Sequence, residues 1–467
     1  MTDTGRIRVA IACQGGGSHT AFTAGVLKRL LGAEELAGYE VVGLSGTSGG
    51  AVCALLAWSA LLEGDPAAAG GLLEDFWADN SATTPMEQLV NAWVVWAARL
   101  ENLVVLPAVS PYDTWTSLSG LEEFRRMLER RVDFGRLARR PEGPMLLLGA
   151  VDVLSGEFRA FNSRREAITA DMVLASAAIP TLFRAVQVGD GTYWDGLFSQ
   201  NPPVRELVDT RPDELWVIQI NPGARDGEPT TMVEIADRRN ELSGNLSLHQ
   251  ELGFIEKINQ LLDEGLLADG GRYKQIVVRL VELARPRLSR SLGTASKLNR
   301  DPGFIGELIA HGEARAGEFL AALAFEQAWR RRDPAAVLAC FADDAELSSA
   351  APFPEVGVLR GRREIGRFVR ERLTTGCTST RPASRWPATG SPGRCGPTGT
   401  TASRSSAGPR PSSGRAGSPP CPLAPRPPRR RTGTPRRRGR SPGRRRCGPG
   451  PHRRWCRCGC PGGRGRG

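Results

Sequence analysis

The chain has 467 residues, 40% of them hydrophobic, with 62 Lys and Arg against 50 Asp and Glu and a formal net charge of +12. That length suits two or three domains and excludes a single small module. The positive balance is unevenly spread: residues 374–467 hold 22 Arg and no Lys, Asp or Glu, which leaves 40 basic against 50 acidic side chains before them. The body of the chain is acidic, so nucleic acid is an unlikely partner for it.

Cysteine divides the same way, with Cys13, Cys53 and Cys340 in the body and seven in the last 94 residues, so no disulfide framework is implied for the body. The first twenty residues lack the charged start and apolar run of a secretory signal. No stretch reaches the ~18 uninterrupted apolar residues that span a bilayer. The expected compartment is a reducing cytoplasm.

In chain order, residues 6–13 alternate Ile7, Val9 and Ile11 with smaller residues, Gly15, Gly16 and Gly17 break the run, and Phe22, Val26, Leu27 and Leu30 follow at helical spacing. This predicts strand, glycine turn and helix. The same logic repeats: residues 39–44 are a short apolar run, 45–50 a turn, and 51–62 an apolar helix. Residues 89–106 carry Trp93 and Trp96 among few charges, and read as core packing or as a lid that contacts acyl chains. Near-continuous apolar runs at 145–153 and 215–220 predict parallel strands covered on both faces. Residues 230–268 read as long amphipathic helices, and 324–373 as a separate segment with two short helices and a third over 361–373. The class is α/β.

From 374 on the chain changes character, with one Leu, no Ile, Val, Phe, Tyr or Met, and 17 of the 34 Pro. Such a stretch buries too little apolar area to offset its ordering entropy and is expected to be disordered. Three readings stay open: an arginine-rich nucleic-acid arm, a solvated linker, or out-of-frame translation of a GC-rich frame. The abrupt loss of acidic residues in mid-domain favours the last.

Three elements carry chemistry. Gly46-Thr47-Ser48-Gly49-Gly50 is a G-x-S-x-G pentapeptide between a predicted strand and a predicted helix. A serine nucleophile needs such a sharp turn to expose its oxygen, and small neighbours let the backbone pass beneath it. Gln14-Gly15-Gly16-Gly17-Ser18 also links strand to helix, and its bare amides suit a phosphate or an oxyanion. It lacks the third glycine of a dinucleotide fingerprint and the G-K-[ST] ending of a phosphate loop. Tyr193-Trp194-Asp195-Gly196 follows a Gly189-Asp190-Gly191 turn and precedes Asn201-Pro202-Pro203.

Together with Ala21-Phe22, Gly25-Val26-Leu27 and the stretch from Ala175 to Phe183, where small residues run into Pro180, these motifs stand in an order that resembles the bacterial patatin-like phospholipases over roughly residues 6–320. The resemblance implies a three-layer fold with a central, mostly parallel sheet. It also implies a catalytic dyad of Ser48 as nucleophile and Asp195 as base, with the amides of Gly15, Gly16 and Gly17 as oxyanion hole. His19 and Thr20 stand where the family usually has a basic residue and a glycine, and Leu197 where a small residue is usual. The implied activity is hydrolysis of phospholipid or other lipid esters with neither metal nor organic cofactor. The rival mechanism is a Ser48-Asp195-His249 triad, although His249 lies in an amphipathic run where a surface histidine is the plainer reading. An inactive binding or regulatory module is the other alternative.

Residues 324–373 resemble the opening of the cone-shaped α+β domains of the polyketide-cyclase-like, nuclear-transport-factor family. The likeness rests on Trp329, Asp333-Pro334, Phe341-Ala342-Asp343-Asp344-Ala345, Gly361 and Glu364-Ile365, and the closing strands are missing. Cys456, Cys458 and Cys460 are too tightly spaced for a structural zinc site. An acidic body disfavours anionic membranes, so any membrane contact is expected to be peripheral and to rest on apolar groups such as Trp93 and Trp96. The sequence carries no signal of oligomeric state.

Overall fold

The alternation of strand, turn and helix is realised in a computed structural model that describes residues 5–100, 109–113, 115–137, 142–268, 273–283, 292–347 and 358–374. The expectations for 374–467, apart from the first residue, and for 101–106 lie outside the described residues.

The elements in order are β1 (Ile7–Cys13), α1 (Ala21–Leu31), β2 (Tyr39–Gly46), α2 (Gly49–Glu63), α3 (Ala69–Asn80), α4 (Pro85–Leu100), α5 (Trp115–Glu129), β3 (Met145–Asp152), β4 (Phe158–Asn162) and α6 (Ala170–Ala177). They continue with β5 (Val186–Val188), β6 (Gly191–Asp195), β7 (Glu214–Gln219), α7 (Met232–Asp263), β8 (Val277–Glu282), α8 (Pro302–Arg330), α9 (Pro334–Ala339), β9 (Glu346–Leu347), β10 (Leu359–Arg360) and α10 (Gly361–Thr374). The helices of residues 230–268 prove to be one, α7, started by a capping box in which Thr231 and Glu234 satisfy each other's backbone N–H. Asp301 caps α8 by accepting from Phe304 N–H, with Pro302 at the first helical position.

Strands β8, β7, β1, β2 and β3 pair in that order and run parallel, while β4, β5 and β6 add antiparallel strands. Successive side chains enter two different cores, as the period of a strand requires. Val9, Ile11 and Cys13 of β1 and Trp216 and Ile218 of β7 join the larger cluster, with α1, α2, α3 and α8. Ala10, Ala12, Leu215 and Val217 join the smaller one, with Leu248 and Ile255 of α7. A parallel sheet apolar on both faces between helical layers is the α/β arrangement expected from the continuous apolar runs.

The registers of β3 decide where the chain's distant motifs meet. β4 occupies one edge along Leu147 to Val151. The other edge is shared: β2 pairs its first half in parallel, with Gly46 opposite Leu148, and β6 pairs its second half antiparallel, with Asp195 opposite Ala150. The C-terminal ends of β2 and β6 therefore approach each other head to head.

Packing of α1 on α8 is backbone to backbone. A Cβ at Gly25 would fall on the Ile309 backbone, and one at Gly312 on the Phe22 carbonyl. Helix α8 runs unbroken through position 324, so the first helix expected of the later segment is its last turns. Beyond it, α9, the short β9–β10 hairpin and α10 gather around a small cluster that includes Val337, Ile365 and Val369. Among the described residues no helix is long and apolar enough to cross a membrane.

Candidate active site

The site lies where β1 and β2 end, at the carboxyl edge of the sheet where open α/β folds bind ligands. Past β1, the buried Gln14 side chain makes four bonds: its Oε1 accepts from the N–H groups of Ile220 and Asn221, both at 2.8 Å, and its Nε2 donates to Asn245 Oδ1 at 2.8 Å and Gly244 O at 3.1 Å. These pin the start of the glycine loop between the end of β7 and α7. The loop then needs bare backbone. A Cβ at Gly15 would lie 2.5 Å from Thr47 O and 3.0 Å from Ser48 Cβ, and one at Gly16 2.6 Å from Ile220 Cγ2. Gly17 adopts a φ of 57° with its Cα against the Lys297 carbonyl.

Ser48 sits on the turn between β2 and α2 with φ 57° and ψ −131°, a region that disfavours any side chain. Its N–H donates to Ser176 O and Ser176 Oγ, both at 3.1 Å, and Ser176 Oγ donates to Gly149 O at 2.6 Å. The short side chains of α6 thus hold the elbow from below. Ser48 occupies the N-cap of α2, yet its hydroxyl makes no cap hydrogen bond and is not consumed by the helix. Only 6% of the residue is exposed.

Asp195 is 1% exposed at the end of β6. Its N–H donates to Ala178 O at 3.0 Å and its Oδ1 accepts from Leu197 N–H at 2.8 Å. Oδ2 is buried with no partner in hydrogen-bonding geometry, although the Ser48 hydroxyl is near enough to favour the charged carboxylate. Burial dominates and pushes the pKa up to about 7, against the opposing pull of Leu197 N–H, Ser48 and the Lys297 charge. The two expected catalytic residues are therefore brought together, and no histidine is among the groups acting on Asp195. His249 is exposed on α7.

In the glycine loop, Gly15 N–H donates to Asn201 Oδ1 at 2.7 Å, so that amide already has a partner. Of the three expected donors, Gly16 and Gly17 remain without such a partner among the described residues. Asn201 is itself held by Nδ2 donating to Gly244 O at 3.2 Å and by Ser247 Oγ accepting from its N–H at 3.0 Å. His19 is buried, with Nε2 2.8 Å from Ser296 Oγ, and Thr20 Oγ1 turns back to donate to Gly17 O at 2.6 Å. Both departures from the family pattern are thus spent on bracing the loop.

Sequence reasoning assigned no role to Lys297, Asn201 or Ser176. Lys297 Nζ donates to Asn221 Oδ1 at 2.8 Å and Asn240 Oδ1 at 2.6 Å, and its charge reaches Asp195. Nothing in its neighbourhood in sequence signals this. Asn201 and Ser176 stand in the motifs already singled out, and short polar side chains flanked by Pro or Ala were the available signal.

Among solved structures the chain is similar to VipD from Legionella pneumophila, at 14% identity over 68% of this chain and 67% of that one with a TM-score of 0.34. It is also similar to the type III effector protein ExoU, at 14% identity over 74% and 68% with a TM-score of 0.24. No curated protein sequence matches it. Residues 11–208 match the family model for patatin-like phospholipase, a span that runs from within β1 past Asn201 and takes in Ser48 and Asp195. Over that span the chain is similar to patatin-like phospholipases.

Proposed function

We propose that the domain is a serine lipid acyl hydrolase of phospholipase A or esterase type, with Ser48 as nucleophile and Asp195 as its base. The reading is carried above all by the shared edge of β3, which brings a serine at a strained turn and a carboxyl withdrawn from water near each other. A solvated carboxylate is too weak a base to take a serine proton. Desolvation raises Asp195 into the range where it accepts one near neutral pH.

In this reading Ser48 Oγ adds to the ester carbonyl as its proton passes to Asp195 Oδ2. The electron pair displaced onto the carbonyl oxygen is met by the N–H groups of Gly16 and Gly17 and by the N-terminus of α2. Gly15, tethered to Asn201, shapes the loop instead. Collapse of the tetrahedral intermediate expels the alcohol, which takes the proton from Asp195. Water then attacks acyl-Ser48 with Asp195 again accepting the proton, which it returns to Ser48 Oγ as the acyl bond breaks and the free acid leaves.

The test is turnover of dissolved short-chain esters and phospholipids, with labelling by a fluorophosphonate. Wild type is expected to label at Ser48 and to hydrolyse esters, Ser48→Ala to do neither, and Asp195→Asn to lose roughly 10²- to 10⁴-fold in turnover. Labelling that is absent in wild type, or turnover that survives Ser48→Ala, refutes the assignment. The thiols of Cys13 and Cys53 do not compete for the label, since both are buried and burial pushes Cys53 up to about 12.

A further inference from the structure

We propose that the outward side of α4 is a membrane-contact surface that seats the protein on an electrically neutral lipid layer, beside the segment that backs the glycine loop. The proposal rests on the reading that the substrate is a lipid ester. A helix on a protein in water turns its apolar stripe inward and its polar side out. α4 turns an apolar stripe outward as well. Met86, Leu89, Val90, Trp93 and Trp96 recur at spacings of three and four and are 68%, 66%, 53%, 64% and 57% exposed, and no residue of the helix is buried.

The inward side is mixed, with Val94, Val95 and Ala98 half-buried beside Asn91, while Gln88 and Arg99 are exposed. Asn91 Nδ2 donates to Asn299 Oδ1 at 2.9 Å and Asn91 Oδ1 accepts from Arg300 N–H at 2.8 Å. A contiguous apolar patch that includes two tryptophans is what an interfacial helix presents to the boundary between headgroups and acyl chains.

Charge selects the kind of layer. The only charged residues of α4 are Glu87 and Arg99, which cancel, and the Glu87 carboxylate is turned back onto the N–H groups of Thr83 and Thr84. The outward stripe therefore carries no basic residue for an anionic headgroup, and the acidic body repels an anionic surface. A zwitterionic layer complements this face.

Position links the surface to the chemistry. Asn299, which holds α4, lies two residues beyond Lys297, whose carbonyl abuts Gly17, and three beyond Ser296, which bonds His19. A lipid layer on α4 thus lies one short segment from the glycine loop.

The experiment measures sedimentation with phosphatidylcholine vesicles, with and without phosphatidylserine, for wild type, Ser48→Ala, Leu89→Gln and the double variant Trp93→Ser/Trp96→Ser. Thermal melting, ester turnover in solution and light scattering are measured on the same samples. Wild type and Ser48→Ala are expected to sediment with phosphatidylcholine vesicles and to shift their tryptophan emission to the blue. Phosphatidylserine, which the 22 Arg of residues 374–467 attract, is expected to strengthen binding of wild type and of the double variant by the same factor. The double variant is expected to melt with wild type, to keep its turnover of a dissolved ester, and to bind vesicles at least about tenfold more weakly, with Leu89→Gln weakened in the same direction. Vesicle binding by both variants equal to wild type overturns the proposal. So does a wild-type dimer that the double variant converts to monomer, since a second copy then covers the face. Loss of vesicle binding in the variants with no ester turnover in wild type supports the surface and refutes the hydrolase reading.

Discussion

Asp195 joins three properties that a carboxylate rarely combines: it is almost wholly buried, one oxygen is satisfied by Leu197 N–H, and the other makes no hydrogen bond among the described residues although Ser48 is close enough to act on the carboxyl. With a pKa pushed up to about 7 by burial, it is a base only above that pH. Ester kcat/KM is therefore expected to rise about tenfold per pH unit up to a plateau with its midpoint near 7. The same shift works on stability. Between roughly pH 4, where an unfolded aspartate loses its proton, and about 7, the folded chain still holds one, so stability declines as pH rises through that window and levels off above it. Asp195→Asn cannot ionise. Its melting temperature relative to wild type is expected to climb from pH 5 to pH 8, and a difference that stays flat or falls would contradict the burial argument.

At the scale of the element, the junction of β2 and α2 stores strain. Ser48 is held at φ 57° because the elbow is fixed at both ends, by the Gly46–Leu148 register on one side and the α2 helix on the other. Positive φ with a Cβ costs about 1–3 kcal/mol, and glycine is free of that cost. Ser48→Gly is expected to abolish turnover yet raise unfolding free energy by about 1 kcal/mol in a urea titration. Ser48→Ala keeps the Cβ and gains none of this. Equal stability of the two variants would show that the turn is unstrained. The glycine loop is a second such element, since close approach to Thr47, Ile220 and Lys297 leaves no space for side chains at three successive positions.

Across the molecule, a buried ionic cluster joins the far edge of the sheet to α8. Arg279 of β8 donates to both carboxylate oxygens of Glu214 at 2.7 and 2.9 Å and pairs with Glu326 of α8 at 2.8 Å. Glu214 also accepts from Trp216 Nε1 at 2.8 Å, and Trp216 stacks edge-on with Tyr39 and Phe319. Removing one partner strands buried charge, so Arg279→Met is expected to cost roughly 3–5 kcal/mol in chemical unfolding. Adding Glu214→Leu should recover part of that loss, because the stranded carboxylate is removed with its cation. A single variant as stable as wild type would mean the cluster contributes little to holding α8 on the sheet.

Much of this protein was legible in one dimension because its signals are local. Apolar runs at 39–44, 145–153 and 215–220, each broken by Gly or polar residues, determined the strands, and a G-x-S-x-G turn between strand and helix determined the candidate nucleophile. The antiparallel strands β4, β5 and β6 were less legible, being short and mixed in polarity. Asp195 was named by family resemblance, since an Asp-Gly at a turn has no local mark of catalysis. Only the tertiary structure decided that β3 would offer one edge to both β2 and β6, that Asn201 would take the Gly15 amide, and that Lys297 would lie behind the glycine loop. These depend on contacts about 40 to 280 residues apart, where burial and charge at one position are set by groups that its neighbours in sequence do not specify.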